Sequence, residues 1–151
     1  LAREDTHAQL FDLYAGVGLF TAFLAERASL VISVESYPPA VSDADVNLGD
    51  LDNIDLVEGA VEDVIDALDG PIDAVVLDPP RNGVDGRAVD ALIALRPRTI
   101  VYVSCEPSTL ARDAKRLAAK GYRLVDVTPV DMFPQTFHVE SVAHFALASA
   151  R

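Results

Sequence analysis

Apolar residues in this chain gather into short continuous runs, and between the runs they recur at helical spacing. Leu10-Phe-Asp-Leu-Tyr14 reads as a strand, Ala15-Gly-Val-Gly18 as a glycine turn, and Leu19 to Ala28 as a helix with Phe20, Phe23 and Leu24 on its apolar side. Leu30-Val-Ile-Ser-Val34 is an apolar strand of the kind expected when helices cover both faces. Pro38-Pro39 opens a helix, since proline is tolerated in a first turn, and Val41, Ala44 or Asp45, and Leu48 mark its spacing up to Gly49. The alternation continues with a strand at Ile54 to Val57, a helix at Val61 to Leu68 broken by Gly70-Pro71, a strand at Asp73 to Leu77 and a helix at Ala88 to Leu95. A strand at Thr99 to Ser104 leads into a helix from Ser108 to Lys120, closed by Gly121. Two apolar stretches, Arg123 to Thr128 and Val139 to Leu147, follow with no helix between them and flank the segment Pro129 to His138. Leu1 to Ala8 is polar and suits a lead-in.

Strands alternating with helices predict an α/β fold: a doubly wound, seven-stranded, mostly parallel sheet with helices on both faces, Rossmann-like in architecture. The last two strands are expected to pair as a hairpin, which leaves a terminal antiparallel strand. With 151 residues, half of them apolar, residues 1–151 are expected to form one domain. Ligands of such sheets bind beyond the carboxyl ends of the strands. That rule singles out Tyr14 to Gly18, Glu35, Glu58-Gly59, Asp78 to Arg81 and Ser104-Cys105.

The formal net charge of -12 is adverse to holding nucleic acid, because phosphates are bound by lysine and arginine. A single cysteine excludes an internal disulfide, and no apolar run is as long as a membrane span or resembles a signal peptide. A cytoplasmic protein with no membrane or metal partner is the expectation. The chain starts at Leu1, not methionine, and is expected to lack an amino-terminal portion.

Several residues on the rim are candidates for chemistry, each with a plainer alternative. Cys105 sits where a strand ends and a helix begins, a setting that favours a thiolate and so a nucleophile, although lone cysteines are also common as small buried hydrophobes. Gly16 and Gly18 either permit a tight turn or let backbone amides approach a ligand. Glu35, 17 residues after Gly18, stands where a carboxylate accepts hydrogen bonds from both ribose hydroxyls, unless it is only a solvated strand-end acid. Asp12 is expected as a buried acid bonding to the amides of the glycine turn. In Asp78-Pro79-Pro80 two prolines stop a strand and stiffen the backbone just past an acid, which suits a wall against a flat ring. A dinucleotide oxidoreductase needs the same glycine turn and ribose acid. However, Thr21 stands at the third glycine of G-x-G-x-x-G, and hydride transfer leaves Asp78-Pro-Pro and Cys105 unused.

Four segments carry a more specific likeness. Asp12-Leu-Tyr-Ala-Gly-Val-Gly-Leu-Phe-Thr21, Leu77-Asp-Pro-Pro-Arg-Asn-Gly83, Val101-Tyr-Val-Ser-Cys-Glu-Pro-Ser-Thr-Leu-Ala-Arg-Asp113 and Asp131-Met-Phe-Pro-Gln-Thr-Phe-His-Val-Glu-Ser141 resemble, in this order, the motifs of the RNA uracil-5-methyltransferases. Those enzymes make 5-methyluridine in transfer and ribosomal RNA. The resemblance runs from Asp12 to Leu147 and implies a class I methyltransferase using S-adenosylmethionine. It implies Cys105 as nucleophile, Glu140 as general base, and Tyr14, Leu19, Glu35 and Asp78 as the lining of the cofactor and base pocket. Two positions depart from the pattern: Leu19 and Glu106 stand where well-known members have asparagine, and Glu106 sets a negative charge beside the thiol.

The implied chemistry needs both reacting groups. C5 of uracil is a poor nucleophile, so a thiolate adds to C6 and pushes electrons onto C5. A carboxylate beside the ring then removes the C5 proton and the cysteine leaves. Glu140 opens the apolar run Val139 to Leu147, where partial burial suits a base. Asp78 would hydrogen-bond the ring with Pro79 beside it, and Arg81 or Arg112 would meet phosphate unless it pairs with a local acid such as Asp113. A stacked base cannot reach the rim, so the uridine must be flipped out. Phe133 and Phe137 either stack on it or cap the core, and His138 supports their loop. RNA, the expected partner, would be held mainly by an upstream portion of the full-length protein, where relatives often carry a small oligonucleotide-binding barrel. The competing readings are an RNA cytosine-5-methyltransferase, which also uses a cysteine, and a non-catalytic cofactor-binding or interaction module. A base-amino methyltransferase is disfavoured, because Arg81 stands where an aromatic would follow Asp-Pro-Pro.

Overall fold

The computed structural model describes residues 8–68 and 70–148. In chain order they form β1 (Gln9–Leu13), α1 (Leu19–Ala25), β2 (Leu30–Glu35), α2 (Pro38–Leu48), β3 (Ile54–Glu58) and α3 (Val61–Val64), which tightens into a 3₁₀ turn at Ile65–Ala67. Then follow β4 (Ala74–Leu77), α4 (Gly86–Leu95), β5 (Thr99–Ser104), α5 (Pro107–Ala119), β6 (Tyr122–Val130) and β7 (Glu140–Leu147). The polar opening lies outside the described residues except for Ala8.

The strands make one sheet in the order β3-β2-β1-β4-β5-β7-β6. Strands β1 to β5 are mutually parallel, and β7 runs against both of its neighbours. The predicted doubly wound sheet and its final hairpin are therefore present, with the antiparallel strand wedged between β5 and the edge strand β6. This topology decides where the site lies. The carboxyl ends of β1 to β5 share one rim, and β7, being reversed, brings its first residue, Glu140, to that same rim.

Alternate residues of the central strands, among them Phe11, Leu13, Val75, Leu77, Ile100, Tyr102 and Phe145, are buried in the main core with residues of α3, α4 and α5. A fully buried side chain of this size contributes roughly 1.5–3 kcal/mol, so this face anchors the sheet. The opposite face holds a smaller cluster in which Leu10 and Val31 pack with Ala25 of α1. Here the expected helix face is corrected at Phe23, while Leu24 packs against this cluster as expected. Helix α1 ends three residues earlier than predicted and buries Thr21 and Ala25, while Phe23 is 64% exposed. The small residues let α1 lie close to the sheet, where the Thr21 hydroxyl reaches Asp12 of β1 and Ser33 of β2.

Candidate active site

The glycine turn is a strained piece of backbone held by one carboxylate. Tyr14 has a φ of 66°, unusual for a residue with a side chain, and Gly18 at 88° lies so close to α2 that an added Cβ would come 2.7 Å from Leu48. Glu35, at the end of β2, accepts the Gly16 N–H on Oε2 at 2.9 Å and the Tyr37 N–H on Oε1 at 2.7 Å. A carboxylate has about four acceptor sites, so lone pairs remain for ribose hydroxyls.

Asp12 does not bond to the turn's amides, as its sequence position had implied. It is fully buried on the α1 side of the sheet; Oδ2 accepts the Thr21 hydroxyl at 2.6 Å, and Oδ1 has no hydrogen-bond partner among the described residues. Thr21 therefore fills the place of a third glycine because its hydroxyl is needed there. Burial pushes the Asp12 carboxyl up to about 6, opposed by the Thr21 bonds and aided by the charges of Asp78 and Glu35. The folded protein thus keeps a proton that the unfolded chain releases between pH 3.8 and about 6. Stability falls as pH rises through that window, by about 3 kcal/mol at roughly 1.4 kcal/mol per pH unit. Asp12→Asn should abolish this slope, so urea unfolding at about pH 4 and about pH 7 should show the variant gaining on the native protein at the higher pH. An equal difference at both values would assign the slope to other groups.

Beside the turn a cavity of ≈ 350 Å³ is walled by Tyr14, Glu35, Gly59, Ala60, Asp78 and Pro80, among others. Gly59 is set there by packing, since a Cβ would lie 2.7 Å from Val64. Gly16 lines a small hollow next to Glu35. Asp12, Gly18 and Leu19 are not part of the cavity wall, and Leu19, the first residue of α1, is 62% exposed. Ala60 carries no signal in the sequence and joins the wall only because it follows β3. The residues present fit S-adenosylmethionine: Glu35 has acceptors for a ribose, Val34, Val61 and Pro80 offer apolar surface to a flat base, and the further carboxylates of Glu62 and Asp78 suit a cation.

Cys105 and Glu140 stand at neighbouring strand ends. The β5–β7 ladder closes on the pair Ser104 and Ser141, and Cys105 and Glu140 are the next residues of the two chains beyond that pair. Both residues are half-buried. Asp78 comes from the end of the adjacent strand β4, and its carboxyl is raised by lost hydration and then by the charge of Glu140. The elbow carrying Cys105 is pinned by Ser104, whose Oγ donates to the Glu106 carbonyl at 3.0 Å and accepts the Glu106 N–H at 3.1 Å. Glu106 caps α5, its Oε1 accepting the Ser108 N–H at 3.2 Å and the Ser108 hydroxyl at 2.8 Å. These bonds, with Arg81 and His138 nearby, hold its carboxyl below the usual range. The negative charge placed beside the thiol by the sequence is thus turned toward a helix start and the Arg81 side chain.

Pro79 is buried and Pro80 exposed, so the diproline wall has one side in the core. Arg112 pairs with Asp113 at 2.9 Å, which leaves the exposed Arg81 as the arginine free to meet phosphate. Phe133 and Phe137 lie in the loop between β6 and β7, 48% and 89% exposed, and so do not cap the core. The Phe137 ring packs at a tilt on His138, 4.2 Å between centroids. Among the described residues no helix is long and apolar enough to cross a membrane, and no three His, Cys, Asp or Glu side chains are grouped to hold a metal ion.

Known proteins resemble this chain in sequence and in fold. An uncharacterized RNA methyltransferase of Caldanaerobacter subterraneus subsp. tengcongensis is 45% identical over 139 residues, 89% of this chain and 31% of the relative. Another, from Thermotoga maritima, is 46% identical over 134 residues, 87% of this chain and 30% of the relative. The chain thus spans about a third of the length of these curated relatives. The structure of Pyrococcus abyssi tRNA (uracil-54, C5)-methyltransferase in complex with S-adenosyl-L-homocysteine superposes with a TM-score of 0.80 at 36% identity, covering 92% of this chain and 34% of that one. A Streptococcus thermophilus rRNA methylase shares the fold alone, at a TM-score of 0.79 and 15% identity. The model of the tRNA (uracil-5-)-methyltransferase family matches residues 2–146, and the chain belongs to that family.

Proposed function

We propose that this chain is the catalytic part of a longer protein that transfers a methyl group from S-adenosylmethionine to C5 of a uridine in transfer or ribosomal RNA. What supports the reading most is that Cys105 and Glu140 both follow the last β5–β7 ladder pair at one rim, with Asp78 close enough to feel the charge of Glu140. Asp78 and the wall of Pro79 and Pro80 orient the flipped uracil, and Phe133 and Phe137, which are open to solvent, cover its outer side. The Cys105 thiolate adds to C6, and the electrons of the C5–C6 double bond move to C5 and the neighbouring carbonyl. Bound S-adenosylmethionine supplies an electrophilic methyl group to C5. Glu140 then takes the C5 proton, the double bond re-forms, and the carbon–sulfur bond breaks to return the thiolate. The net charge of -12 leaves most of the RNA affinity to the remainder of the longer protein, with Arg81 contributing a local phosphate contact.

Fluorine at C5 blocks the proton removal, so the full-length protein incubated with S-adenosylmethionine and 5-fluorouridine-containing tRNA or rRNA transcripts should form a stable adduct. Peptide mass mapping should place the nucleotide on Cys105. A cytosine-5-methyltransferase would instead be trapped by 5-fluorocytidine transcripts, and a binding module by neither. Absence of any adduct with 5-fluorouridine RNA would end this reading.

A further inference from the structure

One buried charge is not used by the chemistry above. Asp113, in the second turn of α5, is 1% exposed, and its carboxylate is saturated. Oδ2 accepts the Val84 N–H at 3.0 Å and the Tyr102 hydroxyl at 2.8 Å, while Oδ1 accepts the Arg112 Nε–H at 2.9 Å. Arg112 in turn donates from its Nη2 to the Asn82 carbonyl at 2.9 Å. The loop they grip leaves β4 as Asp78-Pro79-Pro80-Arg81 and turns back through a Gly83 N–H to Pro80 carbonyl bond of 2.8 Å. Gly83 has a φ of 75°, and a Cβ there would lie 2.6 Å from both the Arg112 Nη2 and the Asp113 Oδ2, so the grip leaves no room for a side chain.

The partners of Asp113 come from both sides of the base pocket. Val84 and Asn82 end the loop that carries the diproline wall. Tyr102 lies on β5 three residues before Cys105, and α5 starts two residues after it. The geometry points to Asp113, with Tyr102 and Arg112, as a positioning device that fixes the spacing between the Cys105 sulfur and the Asp78-Pro-Pro wall, and so the attack distance to C6. This rests on the proposed uridine chemistry. None of the three lines the cofactor cavity, and the braced segment reaches its wall only through Asp78 and Pro80, so the loss should fall far more on the attack step than on cofactor affinity. A misplacement of about 1 Å between reacting atoms can cost roughly 100-fold in rate.

The test uses the full-length protein and the 5-fluorouridine transcript described above. Asp113→Asn, which sets an NH2 group against either the Arg112 Nε–H or the Val84 N–H and Tyr102 hydroxyl, should slow adduct formation roughly 100-fold, and the milder Tyr102→Phe roughly 10-fold. In both, the dissociation constant for S-adenosylmethionine and the KM for RNA should stay within about twofold of the native values, so that the loss falls on kcat. If Asp113→Asn does not fold, Tyr102→Phe, which keeps shape and burial, carries the test alone. Trapping at the native rate by a folded variant would overturn the inference, as would a rate loss matched by an equal loss of cofactor affinity, the mark of a merely structural group. A native protein that traps no transcript would overturn the uridine reading and the inference with it.

Discussion

Cys105→Ala should leave the full-length protein folded and able to bind S-adenosylmethionine while lowering methyl transfer to uridine in RNA by about four orders of magnitude or more, the scale on which removing a covalent nucleophile acts. Two features of the structure separate the two outcomes. The thiol is half-buried at the strand end and is not part of the wall of the cofactor cavity, so losing one sulfur should cost under about 1 kcal/mol of stability and leave the cofactor dissociation constant unchanged. Without it, C5 must react as the weak nucleophile of a neutral pyrimidine. Cys105→Ser should be nearly as inactive, since a serine hydroxyl is far less acidic than a thiol and supplies almost no anion at neutral pH. The measurements are transfer of labelled methyl to RNA and equilibrium binding of the cofactor, made on the same preparations. Full activity in the alanine variant would return the chain to the class of binding modules or to chemistry without a covalent step.

The parts of the molecule that could be read from the sequence are those fixed by local pattern. Strands such as Leu30–Glu35 are covered on both faces and so appear as continuous apolar runs, and the boundaries of β5 coincide with Thr99 and Ser104 because Cys105-Glu-Pro ends the ladder. Strand β6 runs to Val130, past Thr128 where the apolar run had suggested an end. Pro129 continues the strand opposite Ser141, as proline can where a strand lies at the edge of a sheet. What could not be read are pairings made by tertiary packing. Asp12 finds Thr21 instead of the glycine turn, Glu35 spends part of its acceptor capacity on Gly16 and Tyr37, and α1 turns Phe23 outward because a small, hydrogen-bonding face fits the sheet better. Arg112 was legible as a pair for Asp113, being adjacent, yet the Tyr102 and Val84 bonds that give the pair its position were not.

Glu140→Gln should stop the reaction after the methyl group has arrived. Cys105 and the Asp78 wall remain, so C6 addition and methylation proceed, but the C5 proton has no acceptor and the adduct has no route forward. Ordinary uridine RNA, with no fluorine, should then accumulate as a covalent complex on a denaturing gel carrying both the RNA label and the methyl label, while multiple turnover falls by about 10²- to 10⁴-fold. The complex should vanish in the Cys105→Ala, Glu140→Gln double variant, because the sulfur holds it. A second consequence is electrostatic. The charge of Glu140 helps to raise the Asp78 carboxyl, so its replacement should lower the pH at which Asp78 titrates, a shift readable by carboxyl NMR in the cofactor-free protein. Loss of turnover without any trapped complex would mean that Glu140 acts before or during methyl transfer. Normal turnover would remove it from the reaction and leave its place beyond the last β5–β7 ladder pair as a matter of strand register alone.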